Sequence, residues 1–390
     1  MPIKILHILH DEKFIDGAID IFDSTSAINT YVSIEDEKPF VCIKLHSDDV
    51  QIVERDKILS FIIEGGYQLV AFHTLTRDKY ELVLQIPRHV KVLWLAWGYD
   101  IYFPWNNMPA VLPIKIYKPL TLNSVLPTEY VPFVKKIKRL IKKVIFYNRY
   151  RKQRLEHQCT LNKELNLQQQ LIHRIDFMST VLPSEYDLLS ALKGFNAKYF
   201  PFQYALRNDF SVESIENNAS KILLGNSSTA TNNHLDIINV LKANNISNEC
   251  IIPSSYGDTD YLVLLKQAVS DVPNLSFLDT FMPIEEYTNL LKLCRIGIFG
   301  HIRQQAIGNI LMCMLQGSKV FLWRDSVAYK FFKKAGYIVY TIDKDLTEEN
   351  VNKLMSEEER EINRRLAVEQ FTFIPVVNRL ERFLIELQGE

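Results

Sequence analysis

The sequence predicts an α/β protein built from two doubly wound domains that face each other across a cleft. Three observations carry that expectation. Short apolar runs alternate with helical patterns in both halves of the chain, a polar stretch separates the halves, and the conspicuous polar clusters fall where apolar runs end. Strand and helix in alternation imply a parallel sheet with right-handed crossovers. The 390 residues also exceed what one ordinary core accommodates.

In the first half, "IKILHIL" (3–9), "FVCIKL" (40–45), "YQLVAFH" (67–73) and "VKVLWLAW" (90–97) read as buried strands, with "DKILSFIIEG" and "DKYELVLQI" as helices. Residues 102–131, rich in proline and aromatics, read as irregular. A basic helix and the helical "LNKELNLQQQLIHRID" follow, and "DFMSTVL", "EYDLLSALKG" and "AKYFPFQY" complete the first sheet. "NDFSVESIENNAS" (208–220) is the linker candidate. Beyond it, "KILLGNSS", "ECIIPSSYG", "NLSFLD", "RIGIF", "KVFLW" and "YIVYTID" read as strands between helices, among them "QQAIGNILMCMLQ", which stops at Gly317. The expected domains are 1–207, with a basic insertion at about 133–154, then 218–355, then a helical tail at 356–390.

Composition narrows the function classes. The five cysteines are scattered and form no CxxC, so they read as buried thiols in a reducing compartment. The N-terminus "MPIKILHILHDEK" lacks a continuous apolar run and a cleavage site. The longest charge-poor stretch, "VLWLAWGYDIYFPWNNMPAVLPI", holds Asp100, two asparagines and three prolines, which a spanning helix would not. A cytoplasmic protein is expected. The net charge of −1 conceals an asymmetry: residues 133–154 hold ten Lys/Arg and no acid, which leaves −11 on the rest. Their apolar residues (Val134, Ile137, Leu140, Ile141, Val144, Ile145) share one helix face, and Lys135, Lys136, Lys142 and Lys143 fill the other. Such a helix suits the interface of anionic lipid. Nucleic acid is the rival partner and a solvated face the bland one. The aromatic, proline-rich stretch just before it favours the membrane.

Ligands of doubly wound sheets bind outside the carboxyl ends of the strands, so the polar residues there are the site candidates. "FGHIRQQAIGN" (299–309) brings Arg303, Gln304 and Gln305 to a strand-to-helix junction, where free N–H groups and the helix dipole favour a phosphate or diphosphate. In "LLGNSSTATNNH", Gly225 permits close backbone approach, and Asn226, Ser227 and Ser228 offer donors. Met282, with Phe281 in "DTFMP", could cover a flat base. The first half contributes His7, His10 and Asp11 after one strand, His73 after another and Asp100 after a third. Asp11, His73 and Asp100 are the candidates for a general base. There is no GxGxxG, Walker loop, GxSxG or HExxH, so dinucleotide, P-loop and hydrolase-elbow readings find no support, and neither a metal nor a cofactor is expected.

"ILLGNSSTATNNHLDII", "CIIPSSYGDTDYLVLL", "EEYTNLLKLCRIGIF…RQQAIGNILMCMLQG" and "WLAWGYDIY" together resemble glycosyltransferase family 56. The resemblance is continuous over most of the second half and patchy over the first. It implies a GT-B fold and a metal-independent transfer of an amino-deoxysugar, 4-acetamido-4,6-dideoxygalactose (Fuc4NAc), from a dTDP donor to a polyprenyl-diphosphate-linked saccharide. It also implies that Arg303, Gln304 and Gln305 meet the donor diphosphate, with Tyr256 and Asn309 joining the donor-binding set. Many GT-B enzymes place a glutamate on this helix for the ribose, where Gly308 and Asn309 stand here. On this reading the enzyme sits peripherally on the inner face of the cell membrane and engages no nucleic acid. The alternatives are another donor, such as a UDP-sugar, or a non-catalytic adaptor that binds membrane or nucleic acid.

Overall fold

The computed structural model describes residues 1–104, 109–125, 147–206, 214–216 and 218–389. Two all-parallel sheets organise them. The first has the order β3-β2-β1-β4-β5-β6-β7, with β1 (Lys4–Leu9), β2 (Ile28–Ser33), β3 (Val50–Ile52), β4 (Leu69–His73), β5 (Lys91–Ala96), β6 (Phe177–Thr180) and β7 (Lys198–Tyr199). The second has the order β10-β9-β8-β11-β12-β13, with β8 (Lys221–Leu224), β9 (Cys250–Pro253), β10 (Leu275–Leu278), β11 (Cys294–Phe299), β12 (Lys319–Leu322) and β13 (Tyr340–Thr341). Central strands such as β4 are buried along their whole length, because helices cover both faces of a parallel sheet.

Both strand orders reverse at one place, between β1 and β4 in the first sheet and between β8 and β11 in the second. There the connecting loops part and leave a crevice. The helix Ile307–Gln316 shows how firmly the second crevice is anchored. Eight of its ten residues are buried, and Gly317 ends it in the left-handed conformation, φ 93°.

The structure departs from the sequence expectations in four places. Residues 40–45 are not a strand; the outer positions of the first sheet go to β2 and β3. Their N–H groups are taken by carboxylates instead of a ladder: Val41, Cys42 and Ile43 donate to Asp11, and Lys44, Leu45 and His46 to Asp16. The helix expected from Gln304 begins at Ile307, because Ala306 sits at φ 60°, a conformation that cannot propagate a right-handed helix. Residues Lys118–Thr121, expected in the first domain, are pinned to the second. The Lys118 N–H donates to Asn233 Oδ1 (2.7 Å), and those of Leu120 and Thr121 donate to Asp236 (2.9 Å each). Finally, the tail divides. The helix Phe373–Gly389 returns to the first sheet, where Val376, Leu380 and Leu384 pack with Ile3, Ile5, Phe22 and Phe177.

Candidate active site

The second sheet's crevice is built from three laced loops. After β8, Gly225 takes φ 75°, and a Cβ there would lie 2.5 Å from Asn232 Oδ1 and 2.9 Å from His234 Nε2. Only glycine fits. The Asn226 N–H donates to Asn232 Oδ1 (3.0 Å), while the Asn232 amide donates to the Ser227 carbonyl (3.0 Å). Ser228 binds the loop after β9, its N–H and hydroxyl both donating to the Tyr256 carbonyl at 3.0 Å. Ser227 and Ser228 thus shape the loop. Asn226 faces inward: its amide donates to the Tyr256 hydroxyl (2.8 Å), and its Oδ1 accepts from His301 Nε2 (3.1 Å) and the Gln305 amide (3.3 Å). Thr231 in turn donates to Gln305 Oε1 (2.7 Å). Five of the residues named from the sequence are therefore in one hydrogen-bonded set: Asn226, Ser227, Ser228, Tyr256 and Gln305. Met282 is partly buried after β10, beside a Phe281 that is 84% exposed, and Asn309 is partly buried on the helix that starts at Ile307.

Arg303 and Gln304 reach across the cleft. The Arg303 guanidinium lies 5.3 Å from the Phe103 ring, which follows β5 of the first sheet. Gly98, at φ 101°, makes room for both: a Cβ there would lie 3.0 Å from Gln304 Oε1 and 3.4 Å from Arg303 Nη1. Arg303 donates to the Gln304 carbonyl (2.8 Å), but its Nε is buried without a partner, as is Gln304 Oε1. Burial lowers the Arg303 pKa, with Tyr102 and Glu185 the leading opposing influences. Glu185 is the nearby counter-charge, reached through Tyr102, whose hydroxyl donates to Glu185 Oε1 (2.6 Å). Burial raises the Glu185 carboxyl to about 7 against the pull of Tyr102, the Leu182 N–H and Arg303. The result is a half-satisfied cation at the mouth of a polar crevice. Two buried histidines, His234 and His301, each keep one ring nitrogen there without a partner.

The three residues named as possible bases are committed to the scaffold. Asp11 accepts from the N–H groups of Val41, Cys42 and Ile43. Burial opposes its ionisation, yet those bonds hold its pKa below the usual carboxylate value. Asp100 is 1% exposed and accepts from Trp94 Nε1 (2.7 Å) and from the N–H groups of Leu75, Trp97 and Gly98. His73 is fully buried against His7, Nε2 to Nδ1 3.1 Å. Asp11 and Asp100 spend their carboxylates on backbone and indole N–H groups, while His73 keeps Nδ1 without a partner but is wholly buried. The loops above them hold His10, which the sequence reading named, and groups it passed over. His10 lies between Lys79 and Glu35, and Glu35 also meets Arg55 (3.2 Å). Thr74, a β-branched residue at φ 71°, carries the kind of strain that gathers at functional sites. Lys135, Lys136, Lys142 and Lys143 lie outside the described residues.

Residues 192–371 match the family model described as 4-alpha-L-fucosyltransferase, glycosyl transferase group 56. The chain is a GT-B glycosyltransferase whose residues 192–371 carry the group 56 pattern. Solved structures share the fold of this glycosyltransferase at low identity. Sucrose-phosphate synthase from Thermosynechococcus elongatus superposes with a TM-score of 0.59 at 8% identity, covering 99% of each chain. Anabaena HepE, solved with UDP and glucose, gives 0.58 at 11% identity over 100% of both chains. The lipopolysaccharide outer core galactosyltransferase WaaB, in its apo form, gives 0.57 at 10% identity over 99% of this chain and 100% of its own. At such identities the glycosyltransferase shares an architecture with these proteins and no more. The match to group 56 begins just before β7 and spans the whole second sheet.

Proposed function

We propose that this glycosyltransferase moves an amino-deoxysugar of the Fuc4NAc type from a dTDP donor to a polyprenyl-diphosphate-linked saccharide, in bacterial surface-polysaccharide synthesis. The second domain holds the donor and the first holds the acceptor. The observation that carries this reading is Arg303, a guanidinium at the β8/β11 reversal with a buried Nε that none of the described residues satisfies. As the bond from the anomeric carbon to the diphosphate breaks, negative charge grows on the leaving group. A fixed guanidinium aimed there stabilises that charge without reorganising. On this reading the reaction needs no metal ion. Asn226, Tyr256 and Gln305, already held by one another, form the wall beside the leaving group, with Gly225, Ser227, Ser228, Met282, Gln304 and Asn309 around it. A panel of dTDP- and UDP-sugars tested for thermal stabilisation is expected to favour the dTDP series. Stabilisation by UDP-sugars alone would replace the donor, and stabilisation by neither would sink the nucleotide site.

The lipid half of the proposal rests on the basic insertion. No helix of the described residues is long and apolar enough to cross a membrane. A peripheral enzyme would reach a lipid-diphosphate acceptor by docking on the anionic inner leaflet, and the ten basic residues of 133–154 supply the charge for it. Changing Lys135, Lys136, Lys142 and Lys143 to glutamate is expected to abolish co-sedimentation with anionic vesicles. It should also lower activity on a long-chain lipid acceptor much more than on a water-soluble analogue. Equal loss on both acceptors would make the segment structural.

A further inference from the structure

Glycosyl transfer to a hydroxyl needs a group that takes the hydroxyl proton, and the acidic and histidine side chains around the first sheet's crevice are almost all engaged. Asp11 and Asp100 are spent on the scaffold, and His73, whose Nδ1 has no partner, is wholly buried away from an acceptor. His10 and Glu35 are tied to each other and to Lys79 and Arg55. Asp36 accepts from the Ser33 hydroxyl (2.8 Å) and the Asp11 N–H (3.0 Å), and Asp78 meets Arg55 (3.3 Å). On the loop leaving β1, the central strand at the reversal, Glu12 is the carboxylate left. It is half-buried, accepts the backbone N–H of Lys13, and enters no ion pair among the described residues.

The same loop spans the cleft. Lys13 Nζ lies 5.4 Å from the ring of Tyr256, the residue that holds Asn226 in the donor crevice. On the other side, Phe14 packs on Trp97 (5.7 Å) and Tyr204 (5.6 Å), which closes the loop against the first domain. Glu12 is therefore held between the donor wall and the acceptor domain, with carboxylate lone pairs to spare.

We propose that Glu12 is the catalytic base. The acceptor oxygen forms its bond to the anomeric carbon of the donor, and its proton passes to a Glu12 carboxylate oxygen. The bond from the anomeric carbon to the phosphate oxygen breaks, and its electron pair leaves with the nucleoside diphosphate. Nothing is oxidised or reduced, and the proton escapes to solvent from the half-exposed side chain. Burial raises the Glu12 pKa above the usual glutamate value, against the attraction of Lys13, and Asp11 and Asp36 add to the rise. Burial raises the phenols of Tyr99 and Tyr204, with Asp100 and, to a lesser extent, Glu12 adding to the rise.

This assignment rests on glycosyl transfer and not on the choice of donor, so the assay uses whichever dTDP- or UDP-sugar the wild-type enzyme consumes. A wild type that consumes only UDP-sugars removes the dTDP reading and leaves this test intact. Glu12→Gln is expected to keep nucleotide affinity within twofold by calorimetry while kcat falls roughly 10²–10⁴-fold. The acidic limb of the wild-type kcat profile should disappear from the residual rate, and formate should restore turnover to Glu12→Ala. A Glu12→Gln kcat within threefold of wild type, or an unchanged acidic limb, would assign the proton to another group.

Discussion

Replacing Arg303 with alanine is expected to weaken dTDP or UDP binding by roughly 10- to 150-fold, about 1.5–3 kcal/mol, the range for hydrogen bonds to charged groups. The residue's surroundings explain why the loss should be large. The guanidinium is flanked by the Phe103 ring and the bare backbone of Gly98, so little water competes for it. Its counter-charge, Glu185, is engaged through the Tyr102 hydroxyl and the Leu182 N–H. A diphosphate would therefore meet a cation whose charge is only partly answered. Lysine at 303 should recover only part of the affinity, because a point charge lacks the planar fork of donors that pairs with phosphate oxygens. Calorimetric titration of the folded variants checks both statements. Wild-type affinity in Arg303→Ala would remove Arg303 from the site.

Acid should destabilise this protein well above the pH range where its carboxylates titrate. His7, His73, His234 and His301 are at most 2% exposed. Burial lowers His7 and His234 to about 3. It places His73 and His301 well below their usual value too, helped by His7 and Lys79 in one case and by Arg303 and His234 in the other. Between these values and about 6.5 the unfolded chain binds protons that the folded chain refuses. Stability then rises with pH across that window and is lost as pH falls through it. At pH 5 His7 and His234 each cost about 2 kcal/mol, and His73 and His301 act in the same sense. Glu185 acts in the opposite sense: its folded carboxyl takes a proton near pH 7, the unfolded one only near 4.5, so acidification favours the fold there. Asp100, also raised by burial, acts in the same sense. The histidine losses are expected to exceed these gains, so stability falls from pH 7 to 5. Urea denaturation at the two pH values tests it, and an unchanged midpoint would mean that these histidines are not buried neutral.

The position of the candidate donor residues at the ends of two strands was legible before any coordinates. Gly225, Asn226, Gln305 and Arg303 follow strands β8 and β11, and their types at those strand ends pointed to an anion. What the pattern did not carry was the outcome of competition between neighbours. "FVCIKL" has the composition of a strand, yet its N–H groups went to Asp11 and Asp16 instead of a ladder. The same contact took Asp11 out of contention as a base and left the adjacent Glu12 free. Two acids side by side are equivalent as sequence; only packing decides which one is spent.

By itself, then, the sequence determined the local matters: alternating strand and helix, the stop at Gly317, and the small and amide residues of the β8 loop. Each depends on side-chain chemistry within a few residues. The tertiary structure decided which charges stay unpaired and which segments cross between domains. Arg303 meets Phe103 and Gly98 some 200 residues earlier in the chain. The helix Phe373–Gly389 closes the sheet that begins at Lys4. The reason is physical. Burial and hydrogen-bond satisfaction are properties of the whole packed chain, and no window of sequence contains the partner that will satisfy a given group.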